Sequence, residues 1–491
     1  MRLNKLVLND FRAFPGDLGD YTFDLGGQNL LIFGENGSGK SSLFRAIEEF
    51  FTRQTPGRPF ADFKHRFTPG QTGGHITASF DDGSHHQWSA AGRPTDTRVA
   101  DTARRKGCLD YRSLLRTNFS HAEQNRVNIF QIVVEELWPE LPITLPGLPS
   151  NTTLGSLWRT AQSHLPQRIN GRWQQNNARR LGRLGAAANN FNAALAHRLS
   201  ELKTEATRLL ARFPGCELVP HLSAPGITYD AASRSFTRKE IWLDVDFRGG
   251  PYGGHHQELN EARLSAIALA LYFAGLRVCY PPGAGYLKLL VLDDVLIGLD
   301  LANRFPVLEL LRDEFTDWQI ILLTHDTVWF EMTKEFFEHS GGWKEFRLYD
   351  AEVSVGRRAP RFENDNTDLA VAKRHFNANP PDLKAAAVYA RSALEKKLRS
   401  VCVKKGLKVK FQSNPKMVSA DSLWQAFLDK DQDQLAQSKP AFISATLKSN
   451  LEAVRSVVIN ELSHSRATSL TSADLQAAIA AVEALKNTQF P

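Results

Sequence analysis

Polar and apolar positions alternate over residues 5–12 and the alternation ends at a turn, as in an antiparallel strand. Residues 21–25 share that two-residue period and are the expected hairpin partner. Asn29-Leu30-Leu31-Ile32-Phe33 is instead an almost unbroken apolar run, which predicts a strand buried on both faces. It feeds a glycine-rich stretch and then a helical pattern over residues 41–51. A second hairpin is predicted where residues 76–80 meet Gln87-Trp88 across Asp81-Asp82-Gly83, because Asp-Gly supplies the positive φ of a tight turn.

From about residue 100 the period changes. Apolar residues fall at three- and four-residue steps over residues 127–138, 154–164 and 177–213, which predicts helices too short for a long coiled coil. Strand character returns over residues 239–247. A helix over 261–277, an apolar strand over 287–292, a helix over 302–315 and an apolar strand over 319–323 follow. That alternation implies a largely parallel sheet covered on both faces. After Asp350 the composition becomes polar (Arg357-Arg358-Ala359-Pro360-Arg361, then Glu363-Asn364-Asp365-Asn366), and helical patterns resume over 382–405, 422–429, 448–462 and 472–486. The expected organisation is an α/β head split between residues 1–100 and 239–350, a mostly helical insertion at 101–238, a linker at 351–367 and an all-helical C-terminal domain at 368–491.

Composition narrows the class. At 491 residues and 42% hydrophobic the chain can bury several cores. It has no run near the roughly 18 uninterrupted apolar residues of a membrane span, and Met1-Arg2-Leu3-Asn4-Lys5 lacks the apolar centre of a signal peptide. The reading is a soluble, cytoplasmic protein with no membrane partner. Cys108, Cys216, Cys279 and Cys402 are too scattered for a zinc site or a disulfide framework. The pairs His85-His86 and His255-His256, read as strand residues facing opposite ways, do not suggest a shared metal. The net charge of +7 is compatible with a phosphate-rich partner such as nucleic acid. Arginine concentrates in residues 98–126 and 159–212, where a solvated helical face and a DNA-binding stripe both fit.

Gly34-Glu35-Asn36-Gly37-Ser38-Gly39-Lys40-Ser41 matches G-x-x-x-x-G-K-[ST] in full, between an apolar strand and a helix. In such a loop the glycines let backbone N–H groups turn onto the β- and γ-phosphates, and the helix N-terminus adds partial positive charge. The candidate nucleotide-binding residues are Asn36, Gly37, Ser38, Gly39, Lys40, Ser41 and Ser42, with Ser41 placed to ligate Mg²⁺. Leu289-Leu290-Val291-Leu292-Asp293-Asp294 supplies the acidic strand end such a site needs. Asp293 is the second Mg²⁺ residue, and Asp294 stands where a general base orients the attacking water. Ile320 to Leu323, another apolar strand, ends in Thr324-His325-Asp326, which puts His325 where it could sense a γ-phosphate.

Together these elements resemble the ABC-type ATPase heads of the SMC and RecF group over about residues 1–100 and 240–345. The resemblance is carried by Asn9-Asp10-Phe11-Arg12, the glycine loop, Leu259-Asn260-Glu261-Ala262-Arg263-Leu264-Ser265, Asp293-Asp294, Gly298-Leu299-Asp300 and Thr324-His325-Asp326. It implies that Arg12 lies near the nucleotide, that residues 259–265 are the signature reaching a partner head's γ-phosphate, and that Gly298 to Asp300 cross between heads. It also implies that His325 is the switch histidine. The implied cofactors are ATP and Mg²⁺. The implied assembly is a homodimer or higher homo-oligomer through the heads, because a signature serves only a partner's nucleotide.

The chain departs from that family in two places. Asn260 replaces the signature serine, and Glu261 and Ala262 replace its glycines. Asn260 can still cap a helix, whereas Glu261 would repel phosphate. Asp294 stands in place of a catalytic glutamate, one methylene shorter, and a misplacement of about 1 Å costs on the order of a hundredfold in rate. Slow hydrolysis is therefore expected, with ATP as an assembly or switch ligand. The insertion sits where SMC chains carry a coiled-coil arm, which favours compact heads that pair or form rings. Residues 109–115 are the candidate for the family's lobe-coupling loop.

The C-terminal segment contains Tyr389-Ala390-Arg391-Ser392-Ala393-Leu394-Glu395 and Asn460-Glu461-Leu462-Ser463-His464-Ser465. It resembles HEPN-type helical domains, although Arg455 and His464 stand further apart than the ribonuclease members require. The overall pattern resembles ATPase subunits of bacterial anti-phage loci of the Septu and retron-linked type, in which a partner nuclease or other effector acts. A RecF-like repair ATPase that binds DNA directly and an ATP-regulated HEPN-like ribonuclease are the alternatives.

Overall fold

The alternating N-terminal segment forms β1 (Leu3–Asn9), paired antiparallel with β2 (Tyr21–Asp24) on one side and β4 (His75–Phe80) on the other, and β5 (His85–Ser89) completes the sheet β2-β1-β4-β5. The apolar run becomes β3 (Asn29–Gly34), inside a six-stranded sheet of order β18-β17-β3-β16-β15-β6. Its other strands are β6 (Lys106–Asp110), β15 (Lys288–Asp293), β16 (Trp318–Thr324), β17 (Trp343–Ser354) and β18 (Arg357–Glu363). The pairs β15–β6, β15–β16, β16–β3 and β3–β17 are all parallel. The computed structural model describes residues 1–52, 57–67, 73–119, 126–170, 172–174, 177–215, 217–252, 254–280, 286–296, 298–338, 341–363, 368–378, 380–409, 419–455, 471–488 and 490. They fall into two units, Met1–Phe362 and Glu363–Pro491.

The two-residue period of a strand divides the first unit into two cores. Leu289 and Val291 of β15 point into a layer shared with the antiparallel sheet and with Leu43, Phe44 and Ile47 of α1 (Lys40–Phe50). Leu290 and Leu292 point the other way, into the core containing α7 (Glu261–Cys279). Burial on both faces explains why these strands read as unbroken apolar runs. The two sheets are stitched together by Gln319 of β16, which is fully buried. Its Oε1 accepts from Leu3 N (2.7 Å), and its Nε2 donates to Leu3 O (2.8 Å) and Gln28 O (2.7 Å).

Residues 97–280 are more mixed than the helical insertion expected at 101–238. After α2 (Thr97–Arg104), β6 joins the central sheet, and α3 (Tyr111–Phe119) leads to β7 (Val127–Asn128) and a π-helical segment, Gln131–Leu137. Two long elements follow, α4 (Leu154–Ser163) and α5 (Ala178–Leu210), separated by the small hairpin of β8 (Arg168–Ile169) and β9 (Arg172–Trp173). An antiparallel sheet of β10 (Leu218–Ser223), β13 (Trp242–Phe247) and β14 (Gly250–Tyr252), with β7 on β13, and a hairpin of β11 (Thr228–Asp230) and β12 (Ser235–Thr237), complete the region. β6 is invisible to hydropathy because Lys106-Gly107-Cys108-Leu109-Asp110 has little apolar run. A Cβ on Gly107 would lie 2.6 Å from Leu276 Cδ1, so α7 packs directly onto its backbone.

Among the described residues α7 is the one helix apolar and long enough to cross a membrane, but 72% of its apolar window is buried within the unit. Its all-round apolarity is that of a central core helix. The short α6 (His255–Glu258) precedes it and places His255 and His256 on a helix, both buried, where a strand was expected. No group of three metal-ligating side chains occurs among the described residues.

The segment read as a linker at 351–367 is strand up to Glu363. β17 and β18 turn at Gly356, whose φ is +72°. Ion pairs such as Arg357–Asp17 and Arg358–Asp350 account for the polar composition that suggested a linker.

The second unit holds α10 (Asp368–Phe376), α11 (Leu383–Lys405), α12 (Ala420–Ala436), α13 (Ala445–Arg455) and α14 (Ser472–Asn487) around one core. Ala386, Ala390, Leu394 and Leu398 of α11 recur at four-residue steps and line that core. Buried Asp431 caps the chain where it enters the last segment before α13, accepting from Phe442 N (2.7 Å) and Ile443 N (3.2 Å). Residues 460–465, including His464, lie outside the described residues. In the remaining elements, α8 is Leu301–Glu314 and α9 is Thr327–Glu338.

Replacing Gln319 with leucine would leave the N–H and C=O of Leu3 buried without partners. We expect Gln319→Leu to lower unfolding stability by about 1–3 kcal/mol in urea denaturation, the cost of orphaning such groups. A change within experimental error would show that the seam between the sheets does not depend on this residue.

Candidate nucleotide-binding site

Strand register places the candidate residues. Asp293 pairs across from Asp110 on β6 and Leu323 on β16, and Thr324 pairs with Phe33 on β3. The C-terminal ends of four parallel strands therefore open at one edge, where ligands of open α/β sheets collect. The glycine loop leaves β3 at Gly34 and enters α1 at Lys40. Gly39 caps α1 with φ +101°, and a Cβ there would lie 3.2 Å from the Phe14 ring and 3.1 Å from Pro360, so conformation and packing both require glycine. At Gly34 a Cβ would lie 2.4 Å from Ser38 Oγ.

Ser38 N closes a turn on Glu35 O (3.1 Å), and the helical ladder begins with Ser42 N and Leu43 N on Gly39 O. The amides before Ser42 are those a helix start leaves open. Ser38 is fully buried and its hydroxyl has no hydrogen-bond partner. Asn36 and Gly37 are exposed at the loop apex, and Ser41 is exposed on the first turn. The Lys40 ammonium is buried against the loop, donating to Gly34 O (2.6 Å) and Glu35 O (3.2 Å) and lying 3.8 Å from Asp294 Oδ2. Burial lowers its pKa, against the opposing pull of Asp294 and Asp293. Ser42 ties the loop to the Arg12 turn, its Oγ accepting from Ala13 N at 3.3 Å.

That turn is unusual in its own right. Arg12 has φ +49°, its N–H donates to Phe63 O (2.7 Å) and its carbonyl accepts from His65 Nδ1 (2.5 Å). Partial burial lowers the pKa of its guanidinium, and the like charges of Arg45, Arg58 and Arg66 add to the effect.

On the opposite wall, Asp293 is 5% exposed and its carboxyl pKa is pushed up to about 6, chiefly by burial. The Asp294 charge adds to the rise, while the Ser41 hydrogen bond and Lys40 hold it back. Asp293 Oδ1 has no hydrogen-bond partner. A buried carboxylate oxygen without a donor, next to a serine hydroxyl, is a hard-oxygen pair that fits Mg²⁺. Asp294 has φ +53°, rare for a non-glycine residue and a mark of local strain. Its Oδ1 accepts from His325 N (2.9 Å) and from His325 Nδ1 (2.8 Å). A carboxylate oxygen accepts here, so the contact places the hydrogen on His325 Nδ1. Beside this dyad lies a small, partly open cavity of about 80 Å³ whose lining includes Asp294, Arg304, Thr324, His325, Asp326 and Trp329, and no residue of the glycine loop borders it.

The structure thus brings together Lys40, Ser41, Asp293, Asp294 and His325. The signature candidates form a separate group. Asn260 caps α7, accepting from Arg263 N at 3.0 Å. Glu261 accepts from Tyr111 OH at 3.3 Å, and a Cβ on Gly298 would lie 3.0 Å from its Cγ, so within the chain its carboxylate rests against α3 and the 298–300 turn. Asp300 is exposed and caps α8 through Asn303 N (3.0 Å). Three contributors escaped the sequence reading. Pro360 and Phe14 wall the loop. Arg304 fixes the strand end after His325 through Asp326 (2.5 Å). Pro360 lay in the supposed linker, and nothing in the sequence links Arg304 to Asp326.

Residues 5–130 match the family model of an AAA domain. No curated protein matches the chain. Among solved structures, an Smc head bound to the C-winged-helix domain of ScpA is similar at 12% identity and TM-score 0.39, over 76% of this chain and 100% of that one. An Smc head with an extended coiled coil bound to the C-terminal domain of ScpA from Pyrococcus furiosus gives 12% and 0.39 over 74% and 96%. The SMC head domain from Thermotoga maritima gives 15% and 0.32 over 74% and 100%.

Asp293 yields a test with a definite sign. Its folded pKa of about 6 lies well above the ordinary aspartate range, so the folded protein holds this proton more tightly than the unfolded chain does. The ionised form costs stability, increasingly as pH rises from about 4 through 6. We expect Asp293→Asn to raise unfolding stability without ligand at pH 8 by on the order of 1–3 kcal/mol in urea denaturation, and to have little effect at pH 4. The same variant should lose any Mg²⁺-dependent stabilisation by nucleotide. Equal effects at both pH values would contradict the account.

Proposed function

We propose that the chain is an SMC-like ATPase of the ABC type that binds Mg-ATP in the Gly34 to Ser42 cradle, hydrolyses it slowly, and uses bound ATP to hold two heads together. The observation that carries this reading is the line Lys40, Asp294, His325. The lysine that would meet the β- and γ-phosphates waits on its own loop carbonyls, beside the carboxylate that would orient water. In this reading Lys40 moves from Gly34 O and Glu35 O onto phosphate oxygens, where a charge-assisted bond is stronger. Ser41 and Asp293 hold Mg²⁺, which neutralises charge on the phosphates. Ser38 and the open amides of α1 complete the cradle, and Arg12 adds a positive charge at its rim.

Slow hydrolysis is supported by Asp294 itself. Its side chain is short, its backbone is held in a left-handed conformation, and one of its oxygens is committed to His325. Only Oδ2 is left to accept a proton from water. Asn260, Glu261 and Asp300 would face the nucleotide of a second copy, with Glu261 kept off its phosphate by Tyr111 and Gly298. The sequence resemblance to ATPase subunits of anti-phage loci supports a setting in which the paired heads sense or restrain a partner nuclease or effector.

Two variants test this. Lys40→Ala should weaken ATP binding about tenfold to a hundredfold in calorimetry, the worth of one charged hydrogen bond of ~1.5–3 kcal/mol. Asp294→Asn should still bind ATP and should raise the dimer fraction in sedimentation velocity with Mg-ATP. Rapid turnover by the unaltered chain, together with a monomer at every nucleotide state, would sink the proposal. For the defence setting, Lys40→Ala expressed with its neighbouring genes should lose protection against phage in a plaque assay.

A further inference from the structure

We propose that the β8–β9 hairpin and the first turns of α5 form a binding site for single-stranded nucleic acid. Between Glu140 and Glu201 the sequence has no aspartate or glutamate and no lysine, but seven arginines. Such a stretch sets a one-sign field toward polyanions. The fold concentrates it: Arg168 and Arg172 lie on the hairpin, and Arg179 and Arg183 lie one turn apart on α5, which begins five residues after Trp173. Arg172, Arg179 and Arg183 are exposed, and no ion pair engages them among the described residues. This contrasts with arginines nearer the head, such as Arg126, Arg208 and Arg212, which are paired to carboxylates. The one acid of the β11–β12 hairpin, Asp230, accepts from the amides of Ala232 (3.3 Å) and Ser233 (2.8 Å) in its own turn.

Charge alone would serve duplex, single strand or an anionic lipid surface. The hairpin adds aromatic character. Arg168 pairs across from Trp173 and Ile169 from Arg172, so each face sets a guanidinium opposite an apolar side chain. Trp173 is 48% exposed, unusual for an indole. Arg234 lies over one ring face, 5.0 Å from the centroid, and its Nη1 is buried with no hydrogen-bond partner. The ring is held in place, and a phosphate or base oxygen would satisfy the orphaned guanidinium N–H. An exposed, fixed aromatic among arginines and the amide side chains of Gln167, Asn170 and Gln174 suits an unstacked base with its backbone. The all-arginine composition fits bidentate phosphate contacts and stacking. A lipid surface would call for a broad apolar face, which two hairpin residues do not provide.

The test uses the full chain and fluorescence anisotropy with oligo(dT) and oligo(U) of about 30 nucleotides and a duplex of equal length. The expected result is salt-sensitive binding that favours single strands, with the deoxy and ribo oligomers separating DNA from RNA preference. Reversing Arg172, Arg179 and Arg183 to glutamate should weaken it on the order of a hundredfold at about 0.1 M salt. Trp173→Ala should weaken single-strand binding about fivefold to a hundredfold and leave duplex binding nearly unchanged. ATP affinity should be unaltered in both variants, which shows that they are folded and separates this site from the nucleotide site. Oligonucleotide affinity within twofold of the parent after charge reversal would overturn the proposal. So would equal weakening of duplex and single strand by Trp173→Ala, or binding to phosphatidylserine vesicles and not to oligonucleotides.

Discussion

The parallel pairing of β3, β16 and β15 is the constraint on which the rest of the first unit depends. Each strand is buried on both faces, so a slip of one residue would turn its whole side-chain set inside out, and the register is strongly fixed. That register sets Gly34, Asp293 and Thr324 at one edge of the sheet. The loop, the carboxylates and the histidine then meet there, although some 290 residues of sequence separate the first from the last. Gln319 locks the same strand to β1, so the Arg12 turn is registered against the site as well.

What the sheet brings together is held under some strain. Asp294 sits at positive φ between His325 and Lys40, and Asp293 is ionised only against the cost of its burial. A cation would give Asp293 a counter-charge, and a polyphosphate would give Lys40 an anionic partner in place of two carbonyls. Ligand binding and local stability are therefore coupled at this edge. The departures at residues 260–262 look different in three dimensions from how they read in sequence. Asn260 does the capping that its side chain allows, and Glu261 accepts from Tyr111 within the chain.

The parts of the fold that announce themselves in sequence are those with strong periodicity or strict local chemistry. The apolar strands, the glycine loop and α5 and α7 were legible because burial on two faces, positive φ at Gly39 and a helical stripe each leave a mark. β6 was not, because it is held by pairing with β15 and by α7 lying on Gly107, neither of which shows in its own residues. β17 and β18 were hidden by arginines and acids that pair with each other at a sheet edge and so mimic a linker. In the site, Asp293, Asp294 and His325 could be placed from their strand ends. The Asp294–His325 contact, the orphaned Ser38 hydroxyl and the wall of Phe14 and Pro360 are tertiary facts that spacing does not encode.

Calorimetric titration of the full chain with ATP, with Mg²⁺ present and then chelated, tests most directly whether this edge of the sheet is a magnesium-dependent nucleotide site. Saturable binding of one ATP per chain that weakens markedly without Mg²⁺ is the predicted result. An absence of saturable binding, or an affinity indifferent to Mg²⁺, would contradict it.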